Sequence, residues 1–336
     1  MTSTAVSGVS TVRVSRCLDE LTEAAWRRFC AVTRAPVFYG WPMLQSIETL
    51  PLTADSQPYY LWTTGPDGEI SAATVVYAQT AVNPFGAAGS APEPMLVGHL
   101  WHCYDSRLLS VQPLDRAIVD AFGQALDELA DGLGMASRGL HNLDQAGSLA
   151  ALVPGLTPGA SRYQLIPQPG DTLEQHLDQV GRSSRRTIRK YCRRASEDGL
   201  QVSFLPPAQG LGDDVLALCL ATADKHAPGY YPSQALSRLL LALGDDCRIL
   251  RLELAGELLA CSICLLDVDS AHFWAGGSLY PDSLNWSPQY VLFAEEISHG
   301  LRSGKPILEF GRRNDEFKLR YGLNPVPLGS WVWGPA

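Results

Sequence analysis

The chain alternates between two hydrophobic patterns, one typical of helices and one typical of strands. Helix-like patterns predict helices over 18–32, 42–50, 113–133, 172–198, 213–225 and 233–243. Apolar or alternating runs bounded by turn residues predict strands over 59–64, 69–78, 95–104, 137–142, 248–254, 258–267, 271–277, 307–310 and 326–333. One more helix is expected to begin at Ser287-Pro288, where serine can cap and proline suits the first turn. Together these elements predict an α/β (α+β) protein.

The predicted elements occur twice in the same order. In the second half, three strands joined by short polar turns form an antiparallel meander, followed by the Ser287 helix and the strand over 307–310. A strand–helix–strand crossover favours parallel pairing of its two strands. The first half repeats this order loosely, and a Pro- and Gly-rich stretch over 154–170 separates the halves. We therefore predict two domains, 1–160 and 161–336, each a mixed, mostly antiparallel sheet flanked by helices.

The composition is that of a globular protein with a sizeable core. Of the 336 residues, 46% are hydrophobic and 18% are charged. The net charge of −9 disfavours binding to DNA and to anionic membranes, except through a local basic patch at 182–194. We see neither a signal-peptide core nor an apolar stretch long enough to span a membrane. Eight scattered cysteines favour reduced thiols, so we expect a cytoplasmic protein.

Two segments carry a resemblance to a known family. They are GRSSRRTIRKYCRRASEDGL at 181–200 and EFGRRNDEFKLRYGLNPVPL at 309–328. Together they resemble the GNAT-fold acyltransferases of the BioF2-like and FemAB-like groups, which include Fem-type peptidyltransferases that use aminoacyl-tRNA. The Phe317-Lys318-x-x-Tyr321-Gly322 element is similar to the F-K-x-x-F-G element of those enzymes. The resemblance covers about 172–336, and the first half only by its element order.

The resemblance implies two tandem GNAT-like domains and an N-acyltransferase activity. The acyl donor would be acyl-CoA, or alternatively aminoacyl-tRNA, used as a co-substrate with no tightly bound cofactor. The acceptor would be the amine of a small molecule, such as a cell-envelope precursor or a secondary metabolite. A non-catalytic GNAT-like binding module is the alternative from a different class of protein.

The basic run is the first candidate for donor binding. Seven cations fall within 182–194 with no acidic residue among them, and like charges at i, i+4 cost stability. Such a cluster suits the phosphates of CoA, a tRNA backbone or an acidic carrier protein, because arginine binds phosphate in a bidentate manner. The alternative is a solvated helix face. The donor-binding candidates from this run are Arg182, Arg185, Arg186, Arg189 and Lys190, to which we add Arg313.

The start of the Ser287 helix is the second donor-binding candidate. In the GNAT fold, the N–H groups at the N-terminus of this helix receive the pyrophosphate of the cofactor. The usual glycine-rich R/Q-x-x-G-x-G/A loop is absent, and the chain reads LNWSPQYVL instead. Ser287, Gln289 and Tyr290 are therefore assigned to the donor, with aminoacyl-tRNA and an unusual mode of CoA binding both left open. The alternative is a well-capped helix without a ligand.

Four residues are candidates for catalysis. By the resemblance, Lys318 lies near the transfer centre, where its ammonium could stabilise negative charge on a carbonyl or a phosphate. Glu309, inside an apolar strand, could accept the proton of the amine or could pair with Arg312, Arg313 or Lys318. Tyr280 and Tyr321 are proton-donor candidates, with simple aromatic packing as the alternative. Direct attack by the amine requires no covalent enzyme intermediate.

The acceptor candidates come from the dense polar and aromatic sequence at 99–105. They are His99, Trp101, His102 and Asp105, together with Trp274. A packed edge strand is the alternative, and zinc is disfavoured because a strand would point His99 and His102 to opposite faces. Hydrolase, NTPase and zinc-protease motifs are absent from the sequence. We expect positive charge from 182–194 and from Lys318 to converge on one cleft that holds an anionic donor.

Overall fold

The computed structural model of the chain describes residues 11–81, 92–225 and 227–334. Backbone contacts divide these residues into two compact units. The first unit contains the described parts of 1–35, 54–159 and 327–336, and the second contains 36–53 and 160–326. In the middle of the chain, the division falls between residues 159 and 160. Two segments, 36–53 and the C-terminal stretch from 327, belong to the unit formed by the other half of the sequence.

Helices and strands alternate through both units. The helices are α1 (Glu23–Thr33), α2 (Trp41–Thr49), α3 (Arg116–Leu133), α4 (Ser148–Leu152), α5 (Leu173–Gln179), α6 (Arg182–Glu197), α7 (Pro207–Gly210), α8 (Asp213–Asp224), α9 (Ser233–Leu243), α10 (Pro288–Arg302) and α11 (Asp315–Arg320). The strands are β1 (Arg13–Ser15), β2 (Gln57–Thr64), β3 (Ile70–Ala81), β4 (Glu93–Gly98), β5 (Leu109–Ser110), β6 (Ser137–Asp144), β7 (Thr157–Leu165), β8 (Gln201–Leu205), β9 (Cys247–Leu254), β10 (Glu257–Leu266), β11 (Ser270–Ser278), β12 (Ile307–Arg312) and β13 (Asn324–Trp333).

In the first unit, neighbouring strands follow the order β1-β2-β3-β4-β6-β13. Pairing is antiparallel except between β4 and β6, which are parallel and are connected through α3. Asp115 caps α3 by accepting the Ile118 N–H at 2.9 Å, and Gly134 ends the helix in a left-handed conformation. The buried core between α3 and the sheet includes Val76, Leu96, Phe122, Leu126 and Leu140.

The second unit has the same plan. Its strands follow the order β7-β12-β11-β10-β9-β8, and only β11 and β12 are parallel, with α10 as their connection. The predicted meander and the predicted parallel crossover are thus confirmed. One face of α10 packs into a core that includes Phe273, Phe293, Ile297, Leu308 and Phe310.

The structure corrects the predicted elements at several points. The expected helix over 18–32 is a short 3-10 turn followed by α1, because Thr22 has φ +51° and caps α1 through the Ala25 N–H. The predicted strand 95–104 ends at Gly98. Beyond it, the His99 N–H donates to Ser106 Oγ at 3.0 Å, so a side chain replaces a strand partner. The 154–170 stretch contains strand β7, and the sequence analysis did not predict α11.

Candidate active site

The two parallel strands of the second unit separate part-way along their length. Strands β11 and β12 pair only at Ser270–Ile307, Ala271–Leu308 and His272–Glu309. Strand β11 continues to Ser278 as a partner of β10 alone. The backbone edge of β11 beyond His272 therefore faces a gap rather than a neighbouring strand.

A cavity of about 220 Å³ lies at this gap. Helix α10 supplies one wall through residues at i, i+3, i+4 and i+7 spacing, which places them on one face of the helix. These residues are Gln289, Leu292, Phe293 and Glu296. The remaining lining residues are Thr222, Ser262, Phe273, Trp274, Ala275, Gly276, Gly277, Phe310, Asn314, Phe317 and Lys318. The cavity is mostly apolar and aromatic, with a few polar groups at defined positions, as is usual for small-molecule sites.

The loop between β12 and α11 brings Lys318 to the cavity. Gly311, Arg313 and Asn314 all have positive φ, at +66°, +64° and +59°. Left-handed conformation is costly for arginine, and such residues concentrate at functional sites. The turn points α11 back toward β12, where Lys318 Nζ donates to the carbonyl oxygens of Gly311 at 3.0 Å and Arg312 at 2.9 Å.

The ammonium of Lys318 is unusually easy to deprotonate. Its residue is only 8% exposed, and burial lowers the pKa of Lys318 to about 7. The negative charges of Glu296, Asp315 and Glu309 oppose this shift and favour the charged form. Lys318 Nζ also lies 5.2 Å from the centre of the Tyr163 ring, a cation–π distance. Lys318 therefore lines the cavity, and its predicted place at a transfer centre stays a prediction.

Glu296 is a cavity residue that the sequence analysis missed. It is buried on α10, and this burial raises its pKa to about 7, while a hydrogen bond from Ser262 and the charge of Lys318 act in the opposite direction. Glu296 and Lys318, both within the described residues, make no direct ion pair, although their charges interact. A signal was present in the sequence, since Glu296 falls four residues after Leu292 and three after Phe293, on the apolar face of the helix.

Glu309 does not line the cavity, and the structure corrects its expected role. Arg162 Nη1 on β7 donates to Glu309 Oε1 at 2.6 Å, and both side chains are almost fully buried. An ion pair, which was the alternative to catalysis, therefore forms, and Arg162 is a partner that the sequence did not suggest. Arg162 was missed because its strand was hidden in the Pro- and Gly-rich stretch.

The two tyrosines proposed as proton donors lie outside the cavity lining. Tyr280 is 64% exposed in the segment after β11. Tyr321 is buried among Tyr290, Phe293 and Phe317, with ring centres 4.7–5.8 Å apart. Burial is the main cause that raises the pKa of Tyr321 to about 12, and the neighbouring Tyr290 adds to it. Tyr321 is therefore a poor proton donor near neutral pH. These contacts favour the packing alternative for Tyr321.

The N-terminus of α10 differs from a phosphate-binding loop. Ser287 occupies the N-cap position, but its side chain makes no cap hydrogen bond within the described residues, and Pro288 in the first turn has no N–H to offer. Trp286 is buried, and its Nε1 donates to Asp198 Oδ2 at 2.7 Å. Gln289 instead points its amide oxygen toward the strand, where it accepts from Ser278 Oγ at 3.1 Å. Of the three expected donor residues here, Gln289 alone lines the cavity.

The cations of the basic helix α6 fall into two groups, those that contact other residues of the second unit and those that stay exposed. Arg185 and Arg189 form ion pairs with Asp178 of α5, and Arg189 also pairs with Glu174. Towards the end of α6, Arg194 donates to the Asn285 carbonyl at 2.6 Å.

Three cations on α6 remain exposed and form no ion pair within the described residues: Arg182, Arg186 and Lys190. Their i, i+4, i+8 spacing places them in one row along the helix, which we call the basic ridge. The ridge lines an open surface cleft of about 800 Å³. This cleft shares no lining residue with the cavity that contains Lys318. The expected single cleft, with positive charge from both segments, is therefore replaced by two separate sites. Arg313 is exposed and lines neither.

The structure separates the predicted acceptor residues. Trp274 lines the cavity of the second unit. His99, Trp101, His102 and Asp105 are buried in the first unit, in the segment after β4. Because this segment is not a strand, His99 and His102 do not lie on opposite faces of a strand as expected.

Contacts within the first unit hold this segment in place. Trp101 packs on His141 with ring centres 4.4 Å apart, and Asp105 pairs with Arg107 at 2.7 Å. Asn142 on β6 donates to the Cys103 carbonyl at 3.0 Å. In the described part of the chain, no group of three or more His, Cys, Asp or Glu side chains could hold a metal ion.

No helix within residues 11–81, 92–225 and 227–334 combines the length and the apolar character needed to cross a bilayer.

Comparison with known proteins identifies the fold. Residues 182–319 match the family described as "Acetyltransferase (GNAT) domain". This region contains the basic helix, the meander, the crossover and Lys318. No curated protein matches the chain at a significant level.

Solved structures with similar folds extend over nearly the whole chain. FemX aligns with a TM-score of 0.62 at 10% identity, covering 96% of this chain and 97% of FemX. The tandem GNAT protein from the clavulanic acid biosynthesis pathway aligns with a TM-score of 0.51 at 12% identity, covering 97% and 99%. L-PGS from Bacillus licheniformis aligns with a TM-score of 0.52 at 12% identity, covering 93% and 91%. The predicted fold class, two tandem GNAT-like units of mixed, mostly antiparallel sheet flanked by helices, is confirmed.

Proposed function

We propose that the chain is an N-acyltransferase that moves a small acyl group from an activated ester or thioester to an amine. One observation carries this proposal: a cavity with a buried lysine lies where β11 and β12 separate. The backbone edge of β11 beyond His272 supplies groups that can bind a carbonyl. We place the activity in the cytoplasm, where such donors are made.

Lys318 is the residue to which we assign stabilisation of the transition state. Attack by a neutral amine on the donor carbonyl places negative charge on the carbonyl oxygen. The Lys318 ammonium is held by two backbone carbonyl oxygens, so it is oriented before the substrate arrives. A fixed positive group inside a largely apolar cavity stabilises such a charge more than a solvated one would.

The size of the cavity limits the transferred group. Sites for drug-sized ligands usually occupy about 300–1,000 Å³, whereas this cavity holds about 220 Å³. We therefore propose that only the acyl group and the adjacent reacting atoms enter, while the carrier remains outside. Acyl-CoA is the first donor candidate because of the acetyltransferase family match.

Aminoacyl-tRNA is the second donor candidate, and two observations favour it. The start of α10 has a proline in its first turn in place of an N–H-rich glycine loop, which weakens the usual site for the CoA pyrophosphate. The basic ridge on α6 offers a row of exposed cations that suits a phosphate backbone. The acceptor role of His99, Trp101, His102 and Asp105 stays a prediction.

A transfer assay with radiolabelled donors tests the function. The full chain is incubated with a panel of short acyl-CoA esters or with aminoacyl-tRNAs and a mixture of primary amines, and amide formation is measured. We expect transfer from one donor class and its loss by at least about 10²-fold in Lys318→Met. Lys225→Met, which removes an exposed lysine of the second unit, is the matched control. Binding of donors with no transfer from any of them would support the binding-module alternative and overturn the proposal.

A further inference from the structure

Two opposite charges face the same cavity without contacting each other. Glu296 extends from α10 and Lys318 from α11, and both line the cavity. The charge of each acts on the other, but no direct ion pair joins them within the described residues. The buried pair of Arg162 and Glu309 is the contrast in the same unit, since its charged atoms lie 2.6 Å apart.

Burial of a carboxylate in this position has no evident structural purpose. Residues of the α10 face around Glu296 are apolar, as Leu292 and Phe293 show. A buried charge costs several kcal/mol of desolvation, and close pairing usually offsets that cost. Here the Ser262 hydroxyl supplies a hydrogen bond to the Glu296 carboxylate. The arrangement keeps two separated charges around a space large enough for reacting atoms.

The charge distribution of aminolysis matches this arrangement. When a neutral amine adds to a carbonyl, the oxygen becomes negative and the nitrogen becomes positive before it loses a proton. A site that stabilises this species needs a cation near the oxygen and a proton acceptor near the nitrogen. Lys318 supplies the cation on one wall, and Glu296 supplies a carboxylate on the other.

We propose that Glu296 is a catalytic residue that accepts the proton of the attacking amine. This inference rests on the proposed acyl transfer. It assigns to Glu296 the role that the sequence analysis gave to Glu309, whose carboxylate is held by Arg162 outside the cavity lining.

The proposed step conserves atoms and charge. The amine nitrogen forms a bond to the carbonyl carbon, and the bond from that carbon to the sulfur or oxygen of the donor breaks. The proton lost by nitrogen moves to the Glu296 carboxylate and then to the departing thiolate or alkoxide. The products are an amide and the protonated carrier, and Glu296 returns to its ionised state.

The protonation properties of the cavity support this role. Among the described residues, Glu296 and Lys318 are the only titratable ones that line it. The charge that acts on Glu296 comes from Lys318, and those that act on Lys318 come from Glu296, Asp315, Glu309 and Arg312. A proton acceptor works best when its pKa is near the working pH, and burial raises the pKa of Glu296 to about 7.

The kinetic test compares adjacent glutamates of α10. Glu296→Gln keeps the shape of the side chain and removes the proton acceptor, whereas Glu295→Gln changes a partly exposed residue that contacts His299 and does not line the cavity. With a donor that supports transfer, we expect Glu296→Gln to lower the single-turnover rate by about 10²–10⁴-fold and to remove the titration near pH 7 from the acid limb of its pH profile. Glu295→Gln should retain both. Thermal melting verifies that each variant is folded.

A second measurement does not depend on the donor. The full chain is labelled with ¹³C at glutamate carboxyls, and the Glu296 signal is assigned by its loss in Glu296→Gln. We expect this signal to titrate near neutral pH and to shift on addition of ethylamine.

The outcomes separate the two proposals. Absence of transfer by the wild-type chain overturns the proposed function. Unchanged rate and pH profile in Glu296→Gln, or a Glu296 signal that titrates at its ordinary value and ignores ethylamine, overturns the role of Glu296.

Discussion

Arg162 and Glu309 form a buried ion pair that joins β7 to β12, with 2.6 Å between Arg162 Nη1 and Glu309 Oε1. The pair lies on the strand that borders the cavity, although Glu309 itself is not part of the cavity lining. We therefore interpret the ion pair as structural. It holds β12 in the position from which this strand separates from β11.

Removal of one member of this pair should destabilise the second unit strongly. Glu309→Leu leaves the buried Arg162 cation without its carboxylate, and such changes typically cost about 3–5 kcal/mol. The double variant Arg162→Met/Glu309→Leu should recover most of this loss, because two apolar side chains replace two buried charges. Urea denaturation measures both. An equal loss in the single and double variants would show that the charge pairing is not the cause.

The stability of the protein should depend on pH through Lys318. Its ordinary pKa of 10.5 falls to about 7 in the folded state, so the unfolded chain binds the proton more tightly between these values. Below about pH 7, Lys318 lowers the free energy of unfolding by its full amount. This loss of stability becomes smaller as the pH rises toward 10.5. The free energy of unfolding of wild type, relative to Lys318→Met, should rise across this range by up to about 1.4 kcal/mol per pH unit. A pH-independent difference would contradict the lowered pKa.

The basic ridge should contribute to binding of a polyanionic donor. Replacement of Arg182, Arg186 and Lys190 by alanine should weaken tRNA binding and reduce the slope of log K against log salt by about 2, since each phosphate contact with a single strand contributes about 0.7.

The matched control for the ridge removes three exposed arginines from the first unit: Arg27, Arg28 and Arg116. It changes the net charge by the same amount and should leave the slope unchanged. Equal effects of the two triple variants would mean that only net charge matters.

The pairing of β6 with β13 should be sensitive to one glycine. A Cβ added to Gly139, which has φ +143°, would collide with the Trp331 carbonyl on β13. Gly139→Ala should therefore lower the melting temperature of the first unit by many degrees. Gly132→Ala, on the exposed side of α3 with open space around it, should instead stabilise by about 0.5–1 kcal/mol. Thermal denaturation followed by tryptophan fluorescence distinguishes these outcomes.

Hydrophobic periodicity predicted most of the second unit. The meander and the crossover through α10 have strong local patterns, and the motif around Phe317 drew attention to Lys318. Other features depend on long-range contacts. Arg162 meets Glu309 across 147 positions of sequence, which no local pattern reveals. The strand predicted over 95–104 ends at Gly98, because the next backbone N–H group, that of His99, donates to the Ser106 side chain instead of to a neighbouring strand.

The separation of the two charged sites was also beyond local patterns. The sequence shows the cations of α6, but not that Glu174 and Asp178 neutralise Arg185 and Arg189. Only the packing of α5 beside α6 determines which cations stay exposed. Glu296 could have been noticed in the sequence as a charged residue on an apolar helix face. The opposite wall of its cavity, however, comes from α11, which the hydrophobic periodicity did not predict.

The position of β13 has a consequence during synthesis. This strand pairs with β6 and residues 327–333 of it belong to the first unit, although it follows every other described strand and helix in the sequence. The sheet of the first unit must therefore keep the β6 edge unpaired until residues 324–333 have been synthesised. Nascent chains halted before residue 324 should consequently be more easily digested by proteases in the first unit than in the second, since the first unit still lacks β13.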